Sequence, residues 1–160
     1  MRIAQAAAEM LDKTLLPFWT ALRDDEHGGY YGYVDYGLRV HRDAEKGCIL
    51  NSRILWFFSE AARLTGREAL RTHAAHAYRF LTECCLDREN GGVYWSVTHD
   101  GRPLDTTKHT YNQAFAVYAL SAYYRLTGDA AALALARELF GVIERRCADA
   151  GGYREAFTAD

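Results

Sequence analysis

The stretch Asp25-Glu26-His27-Gly28-Gly29-Tyr30-Tyr31 returns as Asp87-Arg88-Glu89-Asn90-Gly91-Gly92-Val93-Tyr94, and again as Asp149-Ala150-Gly151-Gly152-Tyr153. The Gly-Gly pairs start at 28, 91 and 151, which are steps of 63 and 60 residues. Between them Arg63-Leu64-Thr65-Gly66 recurs as Arg125-Leu126-Thr127-Gly128, a step of 62, and Lys46-Gly47 recurs as Lys108-His109 at the same step. Independent markers that share one period are the mark of tandem structural repeats. The fold therefore follows from what lies between them.

Each interval holds two helical patterns. Residues 2–22 place Ile3, Ala7, Met10, Leu11, Leu15, Phe18, Trp19 and Leu22 on one helical stripe,. Pro17 is expected to kink that helix or to open a new one after Leu16. Residues 48–64 and 110–126 are apolar almost all round, whereas 67–86 and 129–147 are amphipathic. A helix apolar on every side is expected to be buried, and an amphipathic one lies outside. The order is thus outer, inner, outer, inner, outer. Gly66 and Gly128 are the expected caps of the inner helices. Tyr30–Val34 and Val93–Val97 read as short strands, and Asp100-Gly101 as a hairpin turn. The Gly-Gly loops all fall at the end where inner helices begin.

The class is all-α: an incomplete (α/α)6 toroid of about two and a half helical hairpins with short β-hairpin loops. A ring of six such pairs needs roughly 370 residues. The 160 residues here supply under half of that. They read as a single unit, 1–160, the N-terminal part of a larger barrel.

Composition excludes several functions. The 11 Tyr, 7 Phe and 3 Trp rule out a disordered chain,. A net charge of -2 with no Lys/Arg block argues against nucleic-acid binding,. No apolar run reaches the roughly 18 residues of a membrane helix. The N-terminus lacks a signal peptide, so a cytoplasmic protein is expected. Cys48, Cys84, Cys85 and Cys147 have no metal-binding spacing and read as small buried side chains in a reducing compartment,.

The pocket of such an array lies at the ends of inner helices, ringed by aromatic loops. Arg53 stands out there, a cation in the first turns of an apolar helix. It suits an anionic oxygen or a sugar hydroxyl pair, or else a structural ion pair with an acidic loop residue. Tyr111, Asn112 and Gln113 occupy the matching place on the second inner helix. Tyr111 is a sugar-binding candidate, and Asn112 reads rather as a helix cap. The faces of Trp95 or Tyr94 suit stacking on sugar C–H surfaces. His109 has the chemistry of a general base but reads as a surface histidine. His73 and His76 share an outer-helix face and read as solvated, without a third metal ligand. His27 reads as a turn residue, His41 and His99 as loop histidines. No nucleotide-binding or serine-hydrolase motif is present, and no cofactor or metal is expected.

Several stretches resemble the N-terminal part of the N-acylglucosamine 2-epimerase family, most nearly its cellobiose 2-epimerases. They are Leu16-Pro17-Phe18-Trp19, Glu26-His27-Gly28-Gly29-Tyr30-Tyr31-Gly32, Lys46-Gly47 with Asn51-Ser52-Arg53-Ile54-Leu55-Trp56, Asn90-Gly91-Gly92-Val93-Tyr94-Trp95-Ser96-Val97, Asp100-Gly101-Arg102-Pro103-Leu104-Asp105-Thr106, and Thr110-Tyr111-Asn112-Gln113-Ala114-Phe115-Ala116. The resemblance implies an (α/α)6 barrel that interconverts small sugars epimeric at C2 of the reducing end, without metal or redox cofactor. It implies ring opening, removal of the C2 proton by one histidine to give an enediolate, and return of a proton by another. It makes Arg53 the inner-helix arginine near the reacting oxygens and Tyr111 a residue at the substrate. The family's catalytic histidines lie on later inner helices, past Asp160. No catalytic residue is therefore expected in these 160 residues, and the isolated chain is expected to be inactive.

Two rivals remain. One is a non-catalytic helical module that self-associates through its exposed inner helices or binds carbohydrate. The other is a glycosidase of the same barrel shape. That needs paired carboxylates, and the inner helices offer only Glu60, away from the pocket end.

Overall fold

The structure, a computed structural model, describes residues 2–158. Helix α1 (Arg2–Met10) runs through a wide π turn, Leu11–Leu15, into α2 (Leu16–Ala21). Pro17 sits in the first turn of α2 but follows helical residues, so its missing N–H removes one bond from the continuous helix,. The Leu16 N–H reaches back five residues to the Leu11 carbonyl, so the chain widens here,. The inner helices are α3 (Cys48–Thr65) and α5 (Thr110–Thr127). Each ends on a glycine in the left-handed region, Gly66 at φ 68° and Gly128 at φ 74°. Their N–H groups bond Ala62 and Tyr124 carbonyls at 2.8 Å, the capping expected from the repeat. The outer helices are α4 (Glu68–Phe80) and α6 (Ala130–Val142), each prolonged by a π turn, Leu81–Cys85 and Ile143–Cys147.

Helix α3 packs on both α4 and α5, and α5 packs on α6. The core between them is Ile54, Leu55 and Phe58 from α3, and Ala116, Ala119 and Leu120 from α5. Ala74, Ala77 and Phe80 of α4 and Ala132, Ala136 and Leu139 of α6 close it from outside. Alanine at the facing positions lets the outer helices approach closely. The chain is a partial (α/α) toroid.

One expectation about the helices needs correction. The inner helices are not buried on every side: Tyr111, Tyr118 and Leu64 are 44%, 52% and 71% exposed. Their apolar residues serve two surfaces, one packed on neighbours and one left open along the inner face. The first outer helix is the least enclosed of the outer helices. No residue of α1 is buried, and Ile3 and Met10 are exposed.

The strands are shorter than expected. Each Gly-Gly turn first closes on its own helix through the bridges Arg23–Tyr30 and Leu86–Val93. Only then do β1 (Tyr33–Val34) and β4 (Ser96–Val97) form. β1 pairs with β2 (Val40–His41). β4 lies between β3 (Lys46–Gly47) and β5 (Pro103–Asp105), and β6 (Lys108–His109) pairs with β9 (Ala156–Phe157). β7 (Ala148–Asp149) and β8 (Gly152–Tyr153) form the third Gly-Gly hairpin. One rule stitches the repeats. The strand before an inner helix pairs with the loop of the next repeat: Gly47 with Ser96, and His109 with Ala156. The first N–H of each inner helix is taken by the same loop, Cys48 by the Trp95 carbonyl at 3.0 Å and Thr110 by that of Glu155 at 2.8 Å. The loops are thereby collected where the inner helices begin.

Beneath each of the first two Gly-Gly turns lies a buried ion pair. Lys46 Nζ donates to Asp24 Oδ2 at 2.6 Å and to the Gly28 carbonyl at 2.7 Å. Lys108 Nζ donates to Asp87 Oδ2 at 2.8 Å. The other carboxylate oxygen accepts two turn N–H groups each time, Glu26 and His27, then Glu89 and Asn90. Paired and fully bonded, such charges tolerate burial. Asn51 and Gln113, also 62 apart, fasten the turns to the inner helices by accepting the Tyr30 and Val93 N–H groups.

His73 and His76 are not solvated, which corrects the sequence reading. His76 is 5% exposed, and its Nε2 meets the Gly29 carbonyl at 2.9 Å. His73 Nδ1 lies 2.9 Å from the Tyr30 hydroxyl, its ring stacked on Phe58. Burial, ahead of nearby cations, pushes both imidazoles below their ordinary value,. Both serve the first Gly-Gly turn. Cys48, Cys85 and Cys147 are buried and Cys84 half-buried, all free thiols, and burial pushes the Cys85 thiol well up.

Candidate functional site

Repeat geometry puts the starts of α3 and α5 side by side, with the β4 loop across them. Arg53, in the second turn of α3, is exposed on the inner face. Its guanidinium lies 5.6 Å from the centre of the Phe115 ring on α5. Among the described residues no carboxylate stands within ion-pair distance, so the structural ion-pair alternative is not realised. Phe115 belongs with Tyr111, Ala114 and Tyr118 to a shallow apolar depression on the same face of α5. Arg53 and Tyr111 thus border one surface from two helices.

Trp95 is brought to the same end. Its backbone N–H bonds the Asp105 carbonyl and its carbonyl takes the Cys48 N–H, both at 3.0 Å. The preceding carbonyl, Tyr94, accepts from Asn112 Nδ2 at 2.7 Å. The sequence reading of Asn112 as a helix cap is therefore refined: it ties the tryptophan loop to α5. Gln113 holds Val93 and is not at the surface. The Trp95 and Tyr111 rings meet edge-on at 5.7 Å.

Two cavities adjoin at Leu50. One, about 240 Å³, is lined by Arg53, Leu50, Ile54, Trp56, Phe57 and Trp19. The other, about 400 Å³, runs between the first loop and Trp95, past Gly32, Tyr33, Glu45, Gly47 and Ser96. Glu45 is occupied by the Ser96 hydroxyl at 3.0 Å. The site thus offers one unpaired guanidinium, phenol and imidazole polar groups, and broad aromatic faces. That set has the chemistry to suit a neutral polyol or sugar rather than a metal. Among the described residues no three His, Cys, Asp or Glu side chains come together as a metal site.

His109 was legible as a polar residue before α5 but not as part of this cluster. Its ring lies 4.4 Å from Trp95 and 5.8 Å from Tyr111. The missed signal was the bond from Asn112 to the Tyr94 carbonyl, which brings Trp95 to the start of α5 from 18 residues away. The carboxylate-pair rival gains no support: Glu60 is engaged by Arg63 at 2.8 Å and Arg125 at 3.1 Å. No helix among the described residues is long and apolar enough to cross a membrane.

Residues 29–160 match the family model described as N-acylglucosamine 2-epimerase (GlcNAc 2-epimerase). The chain is 54% identical over 157 residues to a cellobiose 2-epimerase of Ruminococcus albus, covering 98% of this chain and 40% of that protein. It is 53% identical over 152 residues to one from Eubacterium cellulosolvens, covering 95% and 38%. The structure of cellobiose 2-epimerase from Bacillus thermoamylovorans superposes with a TM-score of 0.96 at 46% identity, over 99% of this chain and 41% of that one. A D-mannose isomerase shares the fold alone, with a TM-score of 0.81 at 21% identity. The chain spans about two fifths of the length of the curated relatives it matches. On the model match and these relatives, the chain belongs to the N-acylglucosamine 2-epimerase family.

Proposed function

We propose that this chain forms the arginine-bearing part of the substrate site of a sugar 2-epimerase acting on reducing sugars such as cellobiose. The observation that carries the reading is Arg53: an inner-face guanidinium with no carboxylate partner among the described residues, beside exposed aromatic rings. In a reaction through an enediolate, negative charge develops on the C1 and C2 oxygens. A fixed guanidinium at those oxygens stabilises that charge without rearranging at the moment of reaction. Tyr111 supplies a hydroxyl to the sugar, and Trp95 an apolar face for its C–H surface.

The proton transfers at C2 need bases on both faces of a planar carbon. Five of the six histidines have other work. His73 and His76 are enclosed under the first Gly-Gly turn. His41 meets Asp35 at 2.9 Å, and His27 and His99 pack on each other in the loops away from Arg53. On this reading residues 1–160 hold the sugar, the bases lie elsewhere in the complete ring, and the isolated chain does not epimerise. No metal or redox cofactor enters the reading, and the working compartment is the cytoplasm.

A graft tests this. The chain replaces the matching 157-residue stretch of the Ruminococcus albus enzyme. The folded chimera should convert cellobiose to its C2 epimer, while the chain alone should exchange no C2 proton in D2O. A folded chimera without turnover, or C2 exchange by the chain alone, would overturn the reading.

A further inference from the structure

We infer that His109 is a sugar-contacting hydrogen-bond donor, its Nε2–H meeting an oxygen of the reducing sugar between Trp95 and Tyr111. The inference rests on the reading of the inner face as a sugar site and names a residue that contacts the ligand there.

The first observation is that the fold does not need this imidazole. His109 is the residue before α5, at φ -70° and ψ 131°. Its counterpart 62 residues earlier is Gly47, before α3, at φ -66° and ψ 128°. The same backbone, the same strand pairing to the next loop and the same start of an inner helix are achieved with no side chain at all. The ring at 109 is additional to the architecture.

The second observation is where the ring stands. It is clasped by Trp95 at 4.4 Å and Tyr111 at 5.8 Å, the two residues that the proposed function puts at the sugar. Its backbone is fixed by pairing with Ala156, so the imidazole is presented from a rigid element,.

The third observation is chemical. Nδ1 is buried and has no hydrogen-bond partner among the described residues. A neutral imidazole has one N–H and one lone pair, and an orphaned buried N–H is rarer than an orphaned acceptor. This favours the tautomer protonated on Nε2, the ring nitrogen not enclosed in this way,. An N–H flanked by two aromatic rings is suited to a sugar hydroxyl or ring oxygen. Asn112 Oδ1, one turn away, is likewise buried and unpaired, so it does not supply the acceptor.

The test is a titration of the 160-residue chain with cellobiose, followed by saturation-transfer NMR, for wild type and four variants. His109→Gln keeps a donor near the Nε2 position and should bind within about threefold of wild type. His109→Asn, whose amide falls near Nδ1, and His109→Phe should each weaken binding about tenfold, the scale of one lost hydrogen bond, with melting temperature unchanged. Arg53→Ala is the control for the site itself. If His109→Phe binds like wild type while Arg53→Ala does not, the histidine assignment falls and the sugar site stands. If wild type shows no binding at 50 mM sugar, on the order of the weakest useful affinity, both fall. A proton found on Nδ1 by 15N NMR also overturns the assignment.

Discussion

The first two Gly-Gly loops and the third begin from nearly the same residues and end in different states. In the first two, seven residues separate the bridged pairs Arg23–Tyr30 and Leu86–Val93, and an aspartate is sealed against a lysine. In the third the bridge is Ala148–Tyr153, tighter by two residues, and the aspartate is exposed. Asp149 caps its own turn at the Gly151 N–H and meets Arg154 only at 3.8 Å. The third loop also has a turn two residues shorter than the other two. The pair needs a lysine delivered from the strand before an inner helix, 21 or 22 residues later, folded back beneath the turn.

The largest break in this comparison should come from Lys108→Ala. It strands Asp87 as a buried unpaired charge and should cost about 3–5 kcal/mol, read from the urea midpoint. Asp149→Ala, in the open loop, should cost under about 0.5 kcal/mol. Equal effects would mean that the two kinds of loop are not different.

A smaller contrast lies in the glycines. A Cβ at Gly29, at φ 66°, would meet Phe80 Cγ at 2.6 Å and Asn51 Oδ1 at 2.8 Å. Gly29→Ala should therefore cost about 2–3 kcal/mol. Gly152 has open space around it, although its φ of 141° also disfavours a side chain. Gly152→Ala should cost about 1 kcal/mol. Thermal melts of the two variants compare them directly.

Much of this was legible beforehand. The 62-residue period gave the helix order, the capping glycines and the loop end of the array, because each repeats a local chemical requirement. Arg53, Trp95 and Tyr111 were legible as polar or aromatic residues at that end. The chain has only three lysines, and two of them, Lys46 and Lys108, stand one period apart. The spacing served as a marker, but their burial was not foreseen, since lysine is rarely buried unless paired. His73 and His76 were misread for a related reason. Their spacing shows a shared face, but not that the Gly29 carbonyl and Tyr30 hydroxyl descend on it from 40 or more residues away.

Acid should separate the loops as well. Burial raises the Asp87 carboxyl, but the Lys108 ammonium and the Asn90 bonds outweigh it and hold it at about 2, below its usual 3.8. The resulting stability is present above about pH 4 and is lost as pH falls toward 2. Milder acid acts on the first loop. His73 and His76 are held below their ordinary 6.5 by burial, so the unfolded chain takes up protons first,. Stability should fall as pH drops below about 6.5, and His76→Leu should flatten that slope in urea titrations between pH 7.5 and 5.5. A slope unchanged in that variant would remove His76 from the account.

The most direct test separates charge that holds the fold from charge that holds the substrate. In the cellobiose 2-epimerase chimera, Arg53→Ala should leave the urea midpoint within about 0.5 kcal/mol of the parent. It should lower kcat/KM for cellobiose by about 100-fold or more, the loss expected when a charge-stabilising donor is removed. A variant that melts early yet turns over cellobiose at the parent rate would contradict the account.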